Sequence, residues 1–117
     1  MRCTLMSFGF KYGAPRANYF FDVGFVRNPA RDERWNFFSP VDDEMKTFVL
    51  EQVEAYTFVN NVLPLLSFLS GIDQAQIFAF GCNAGRHRSP VIVEVLADKL
   101  EKDAGVTVIV EHRELDK

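Results

Sequence analysis

Four short runs rich in aromatic and β-branched residues, 4–8, 19–23, 77–80 and 106–110, read as β-strands, because such side chains suit a pleated and covered surface. The last two are nearly continuous apolar runs, as in a parallel sheet covered on both faces. Between them Val91, Ile92, Val95, Leu96, Lys99 and Leu100 recur at helical spacing, and Gly105 supplies a stop. Strand, helix and strand make a βαβ unit. Ahead of it, Ser39 with Asp42 three residues on resembles a capping box, Pro40 suits the first helical position, and Met45, Phe48 and Val49 form an apolar stripe. A second amphipathic helix is predicted over residues 54–69, with Pro64 kinking or dividing it and Gly71 ending it. The expected architecture is a single three-layer α/β domain over residues 1–117, with a mainly parallel sheet flanked by helices.

Composition sharpens this picture. With 117 residues, 48% hydrophobic and 25% charged, the chain matches one packed soluble domain and excludes a multidomain enzyme. A net charge of -3 provides no overall field for gathering nucleic acid, so any anion site must be local. Residues 41–75 hold one basic and six acidic residues, so the two middle helices are expected to form a solvated acidic flank. Cys3 and Cys82 are too few for a disulfide framework, and free thiols in a reducing cytoplasm are expected. The start has no signal-like apolar region and no apolar run reaches membrane-spanning length, so neither secretion nor a membrane partner is expected. No metal site and no cofactor are expected either.

The chemistry collects between a strand and a helix, in Gly81-Cys82-Asn83-Ala84-Gly85-Arg86-His87-Arg88-Ser89-Pro90. Ser89 suits the N-cap and Pro90 the first helical position. A helix N-terminus offers unpaired N–H groups and the positive end of a dipole, and Gly85 lets backbone curl close to a ligand. Arg86, His87 and Arg88 add donors, and a guanidinium binds phosphate oxygens in pairs. Three other polar clusters follow strands: residues 7–13 with Lys11, residues 24–28 with Arg27, and Glu111-His112-Arg113. In a parallel sheet all four share the rim beyond the carboxyl ends, where ligands bind. Phe8, Phe10 and Tyr12 are read as partly core rather than as a stacking platform.

These segments resemble a known family. Ser7-Phe8-Gly9-Phe10-Lys11-Tyr12-Gly13-Ala14-Pro15, Phe21-Asp22-Val23 with Arg27-Asn28-Pro29, the loop from Gly81 to Gly85 with His87-Arg88-Ser89, and His112-Arg113 are similar in type and order to the C-terminal domain of the RapZ family. That resemblance implies an α/β fold and a domain that senses an amino-sugar phosphate such as glucosamine-6-phosphate. It also implies binding of small regulatory RNA, an RNase or regulatory protein as partner, and self-association into a homo-oligomer. The chain departs from the family at Gly24, where an Arg is usual, at Asn83-Ala84, where Thr-Gly is usual, and at Pro90, where Val is usual. These 117 residues contain no Walker A sequence, so the family's N-terminal P-loop nucleotide-binding domain is expected to be missing and no ATPase or GTPase role is expected to carry over.

Two functions of different class follow. The favoured one is a non-catalytic binding module: Lys11, Asn83, Ala84, Gly85, Arg86, His87, Arg88, Ser89, His112 and Arg113 hold a phosphorylated metabolite, and Lys11, Arg27, Arg86 and Arg113 meet RNA phosphates. Its histidines, as imidazolium, would make affinity fall as pH rises. The alternative is a cysteine phosphatase, because Cys82 and Arg88 are separated by five residues and followed by Ser89. In that reading Cys82 attacks phosphorus, Arg88 holds the oxygens, and Asp22 or Asp32 is the general acid.

Overall fold

The computed structural model describes residues 1–73 and 75–115. Strand β1 (Arg2–Gly9) runs into a 3-10 turn (Phe10–Tyr12), and β2 (Tyr19–Asp22) is followed by a second such turn (Pro29–Arg31). Helices α1 (Asp43–Leu50) and α2 (Val53–Ile72) precede β3 (Gln76–Cys82), and α3 (Arg88–Ala104) connects β3 to β4 (Thr107–His112). The strands lie in the order β2-β3-β1-β4, and every neighbouring pair is parallel. This is the α/β domain with parallel sheet and helices that the sequence predicts. All four carboxyl ends therefore share one rim.

Parallel register puts paired residues on the same face. Cys3 and Leu5 of β1 align with Gln76 and Phe78 of β3 and with Val108 and Val110 of β4, while Phe21 of β2 aligns with Phe80. This face meets Val91, Val95, Leu96 and Leu100 of α3, Met45 and Val49 of α1, and Ala55, Val59, Val62 and Leu66 of α2 in one core. Helix α3 lies on β1, β3 and β4, and α1 and α2 pack against α3. Phe58 brings α2 to the sheet, its ring 5.9 Å from Phe21 and 6.3 Å from Phe80. On the other face, Phe10 lies 4.7 Å from Phe8 edge to face. A Cβ at Gly81 would come within 2.5 Å of the Phe10 ring, so glycine is what lets this aromatic sit on the sheet.

Several local expectations change. The cap of α1 is Asp42, whose Oδ1 accepts from the amide of Met45 at 2.7 Å; Ser39 instead accepts from the amide of Asn36. A carboxylate next to the helix is both acceptor and dipole partner, which favours it over the more distant hydroxyl. Helix α2 runs unbroken through Pro64 and ends past Gly71, because tertiary packing of its apolar face outweighs the lost backbone bond. Ser89 is not a cap: α3 begins at Arg88, His87 holds the cap position without a side-chain bond, and Ser89 is fully buried. Gly105 does end α3, in the left-handed conformation at φ 65°.

Helix α2 also corrects the reading of apolar runs. Its 20 residues, with mean hydropathy 1.3, are long and apolar enough to cross a membrane. In this fold its Ala55, Val59, Val62 and Leu66 serve as core. The acidic residues of the middle segment are solvated as expected, since Asp43, Glu44, Glu51, Glu54 and Asp73 are exposed.

Candidate functional site

The end of β1 and the loop after β3 are interleaved, and glycine makes this possible. A Cβ on Gly9 would stand 2.5 Å from the carbonyl carbon of Ala84, and one on Gly85 would stand 2.5 Å from the amide nitrogen of Gly9. Gly85 also has φ of 72°, a region that side chains disfavour. Its permissiveness is therefore used to approach β1. The amide of Lys11 donates to the carbonyl of Asn83 at 3.2 Å, and that of Val23 donates to Gly81 at 2.8 Å, tying together the ends of three strands.

Around this junction lies a cavity of about 150 Å³. Lys11 enters from the turn after β1, Asn28 and Ala30 from the segment after β2, Phe37 from the approach to α1, Cys82 from the end of β3, Asn83, Ala84, Arg86 and His87 from the β3–α3 loop, and Arg88 from the start of α3. The cations are positioned by backbone and rings. Arg88 Nη1 donates to the carbonyl of Gly24 at 2.9 Å, and Arg86 Nε donates to that of Phe37 at 3.0 Å. The Arg86 guanidinium stands 4.9 Å from the Phe37 ring, and Lys11 Nζ stands 5.7 Å from the same ring. Among the described residues, Lys11, Arg86 and Arg88 have no carboxylate within salt-bridge distance, whereas Lys46, Lys102 and Arg113 each have one and Arg34 has two. The cavity is thus locally cationic in a chain of net negative charge.

His87 has a different place from the one expected. It is buried, and its Nε2 lies 2.8 Å from the carbonyl of Ser39. A carbonyl only accepts, so Nε2 carries the proton and donates. Burial pushes its pKa below the ordinary 6.5; the Ser39 bond opposes this, and the positive charges of Arg86 and Arg88 reinforce it. In the neutral ring Nδ1 is an acceptor, which does not favour an anion. His87 pins the loop to the approach of α1.

The β4 end stands apart. Strand order separates β4 from β3 by β1, and neither His112 nor Arg113 lines the cavity. His112 lies between Ser7 Oγ, 2.7 Å from Nδ1, and Glu94 Oε2, 3.1 Å from Nε2; Glu94 in turn pairs with Lys46 at 3.0 Å. Arg113 donates to Gly13 O at 2.6 Å and to Glu114 Oε2 at 2.7 Å. Glu114 is buried and also accepts from the amide of Gly9 at 2.9 Å. The expected grouping of His112 and Arg113 with Arg88 is replaced by a clamp beneath the β1 turn.

Cys82 borders the cavity but belongs to the core and is 2% exposed. Ser89 donates its hydroxyl proton to Phe8 O at 3.3 Å, leaving Ser89 Oγ, 3.4 Å from Cys82 Sγ, as the acceptor of the thiol. Asp22 Oδ1 accepts from the amide of Gly24 at 2.8 Å. The Arg34 hydrogen bond holds the Asp32 carboxyl below its ordinary 3.8, which disfavours the protonated form a general acid needs. Arg27 lies in an adjoining cleft. Phe10 and Tyr12 are about half exposed and Phe8 is fully buried. Phe37 and Ala30 carry little sequence signal of a site, since an aromatic and an alanine occur in any loop, whereas Asn28 belongs to the polar cluster after β2; only the convergence of the three is informative.

Known proteins now bear on this geometry. Residues 1–116 match the family model described as the RapZ C-terminal domain. A "Nucleotide-binding protein" of Dictyoglomus thermophilum is 39% identical over 97% of this chain and 40% of its own length. Another of Oleidesulfovibrio alaskensis is 38% identical over 99% of the chain and 41% of its own length, and one of Bacillus velezensis is 37% identical over 97% and 40%. The chain spans about two fifths of the length of these curated relatives. A match over residues 1–116 makes this chain a member of the RapZ C-terminal domain family.

Proposed function

We propose that this domain is a non-catalytic module that binds the phosphate of a phosphorylated small molecule in the cavity between Lys11, Arg86 and Arg88. The carrying observation is that these three cations converge on one cavity and have no carboxylate partner among the described residues. Placing like charges together without counterions costs free energy, which an anionic ligand offsets. Curated relatives named nucleotide-binding proteins agree with a phosphorylated ligand, and the family resemblance favours an amino-sugar phosphate. Phe37, between Lys11 and Arg86, gives a sugar or base an apolar surface.

Binding is favoured over thiol catalysis by the burial of Cys82: a nucleophile must reach phosphorus, and although Cys82 borders the cavity it is 2% exposed, packs in the core and has its thiol against Ser89 Oγ. RNA contact is the extended form of the same reading, with Lys11, Arg27 and Arg86 meeting backbone phosphates. With Arg113 committed to Glu114, fewer cations remain for it, so RNA binding is weak in one domain and strengthened when several domains combine. The test is calorimetric titration of wild type and Arg88→Ala with glucosamine-6-phosphate, a nucleoside monophosphate and inorganic phosphate. Arg88→Ala is expected to weaken binding by roughly 1.5–3 kcal/mol, the range for a hydrogen bond to a charged group. Equal affinities in a folded variant remove Arg88 from the site.

A further inference from the structure

We infer that the domain has a second anion subsite beside the first, so that its ligand carries two phosphoryl groups. This rests on the proposed phosphate site. A cleft of about 280 Å³ is lined by Val26, Arg27, Asn28, Arg31 and Arg88, and it shares Asn28 and Arg88 with the first cavity. Three of its five lining residues are arginines, and the two cavities meet at a cation common to both.

The arginines are held there by the fold. The amide of Arg27 donates to Gln52 Oε1 at 2.8 Å, and its guanidinium stands 5.5 Å from the Phe48 ring. Arg31 ends the short 3-10 turn that begins at Pro29, where Asn28 Oδ1 accepts from the amide of Ala30 at 3.1 Å. Arg88 is fixed through Gly24. Among the described residues, none of the three has a carboxylate within salt-bridge distance. The nearby Asp32 is bound instead to Arg34 at 3.0 Å. Guanidinium forks around one cleft match the oxygens of a phosphate, and Val26 closes an apolar side. A diphosphate, or two phosphates on one small carbon skeleton, places an anion in each cavity with Arg88 between them.

The experiment is calorimetric titration of the full chain with inorganic phosphate, pyrophosphate and a hexose 1,6-bisphosphate, using wild type, Arg31→Ala and Arg16→Ala. Arg16 is exposed and lines neither cavity, so its variant controls for one lost charge. At least one two-phosphate compound is expected to bind wild type more than tenfold tighter than phosphate. Arg31→Ala should reduce that preference at least fivefold while phosphate still binds at the first cavity, and Arg16→Ala should change neither. If phosphate binds but the preference is missing, or survives Arg31→Ala, the second subsite is overturned and the first stands. If none of the three compounds binds, both fall.

Discussion

Gly9 and Gly85 interlock: a Cβ on Gly85 would stand 2.5 Å from the Gly9 amide nitrogen, and one on Gly9 would stand 2.5 Å from the carbonyl carbon beside Gly85. The obstacles on both sides are backbone atoms, which cannot swing away as a flexible side chain can. Gly85→Ala is therefore expected to destabilise the domain by more than about 1–2 kcal/mol, the cost of the left-handed conformation alone, and to abolish phosphate binding by moving the loop. Urea denaturation and titration of the same variant check this. Unchanged stability would mean that the two backbones lie further apart.

Glu114 provides the second tie to the same turn, accepting from the Gly9 amide and pairing with Arg113. Glu114→Gln retains one acceptor but loses the charge, whereas Glu114→Ala leaves a buried amide without its partner. The expected order of stability is wild type, then Gln, then Ala, with the alanine variant lower by roughly 2–3 kcal/mol. Chemical denaturation measures the order. An alanine variant as stable as wild type would reduce the clamp to a surface contact.

The buried His87 gives stability a pH dependence of definite sign. Its folded pKa lies below the unfolded value of 6.5, so the unfolded chain binds more protons in that window. Stability from this residue is present above about pH 6.5 and is lost as pH falls toward the lower folded pKa. Thermal unfolding between pH 7.5 and 5 should show this loss, and His87→Gln should flatten it relative to wild type. Ligand affinity should not follow the expectation of imidazolium donation, because the neutral ring already gives its proton to Ser39.

Cys82→Ser separates the binding module from a thiol enzyme. The substitution keeps a small polar atom beside Ser89 and is expected to retain phosphate affinity within about a factor of three, less than one hydrogen bond is worth. Neither protein should hydrolyse an aryl phosphate. Turnover by wild type that disappears in Cys82→Ser would overturn the non-catalytic reading.

Much of the fold is written in local pattern. The strands, α3 and its stop at Gly105 follow from alternating element types and one left-handed glycine, because these depend on neighbours three or four residues away. The cationic β3–α3 loop is legible for the same reason: glycines and cations stand together between a strand and a helix. Cap identity was less legible, since Ser39 and Asp42 both fit the pattern and only the real entry angle of α1 chooses Asp42.

The sequence by itself determined the class of fold, the rim on which chemistry gathers and the cations available to it. Tertiary structure decided which of them remain available. His87 and Arg113 look like Arg88 and Lys11 in the sequence, but burial against Ser39 neutralises one and Glu114 occupies the other. The order β2-β3-β1-β4 keeps His112 away from the cavity, while the turn after β2 brings Asn28 to it and Arg31 to the adjoining cleft. Whether a charged group meets a ligand or a carboxylate depends on distances between segments far apart in the chain. Residue type and spacing along a single chain do not encode those distances.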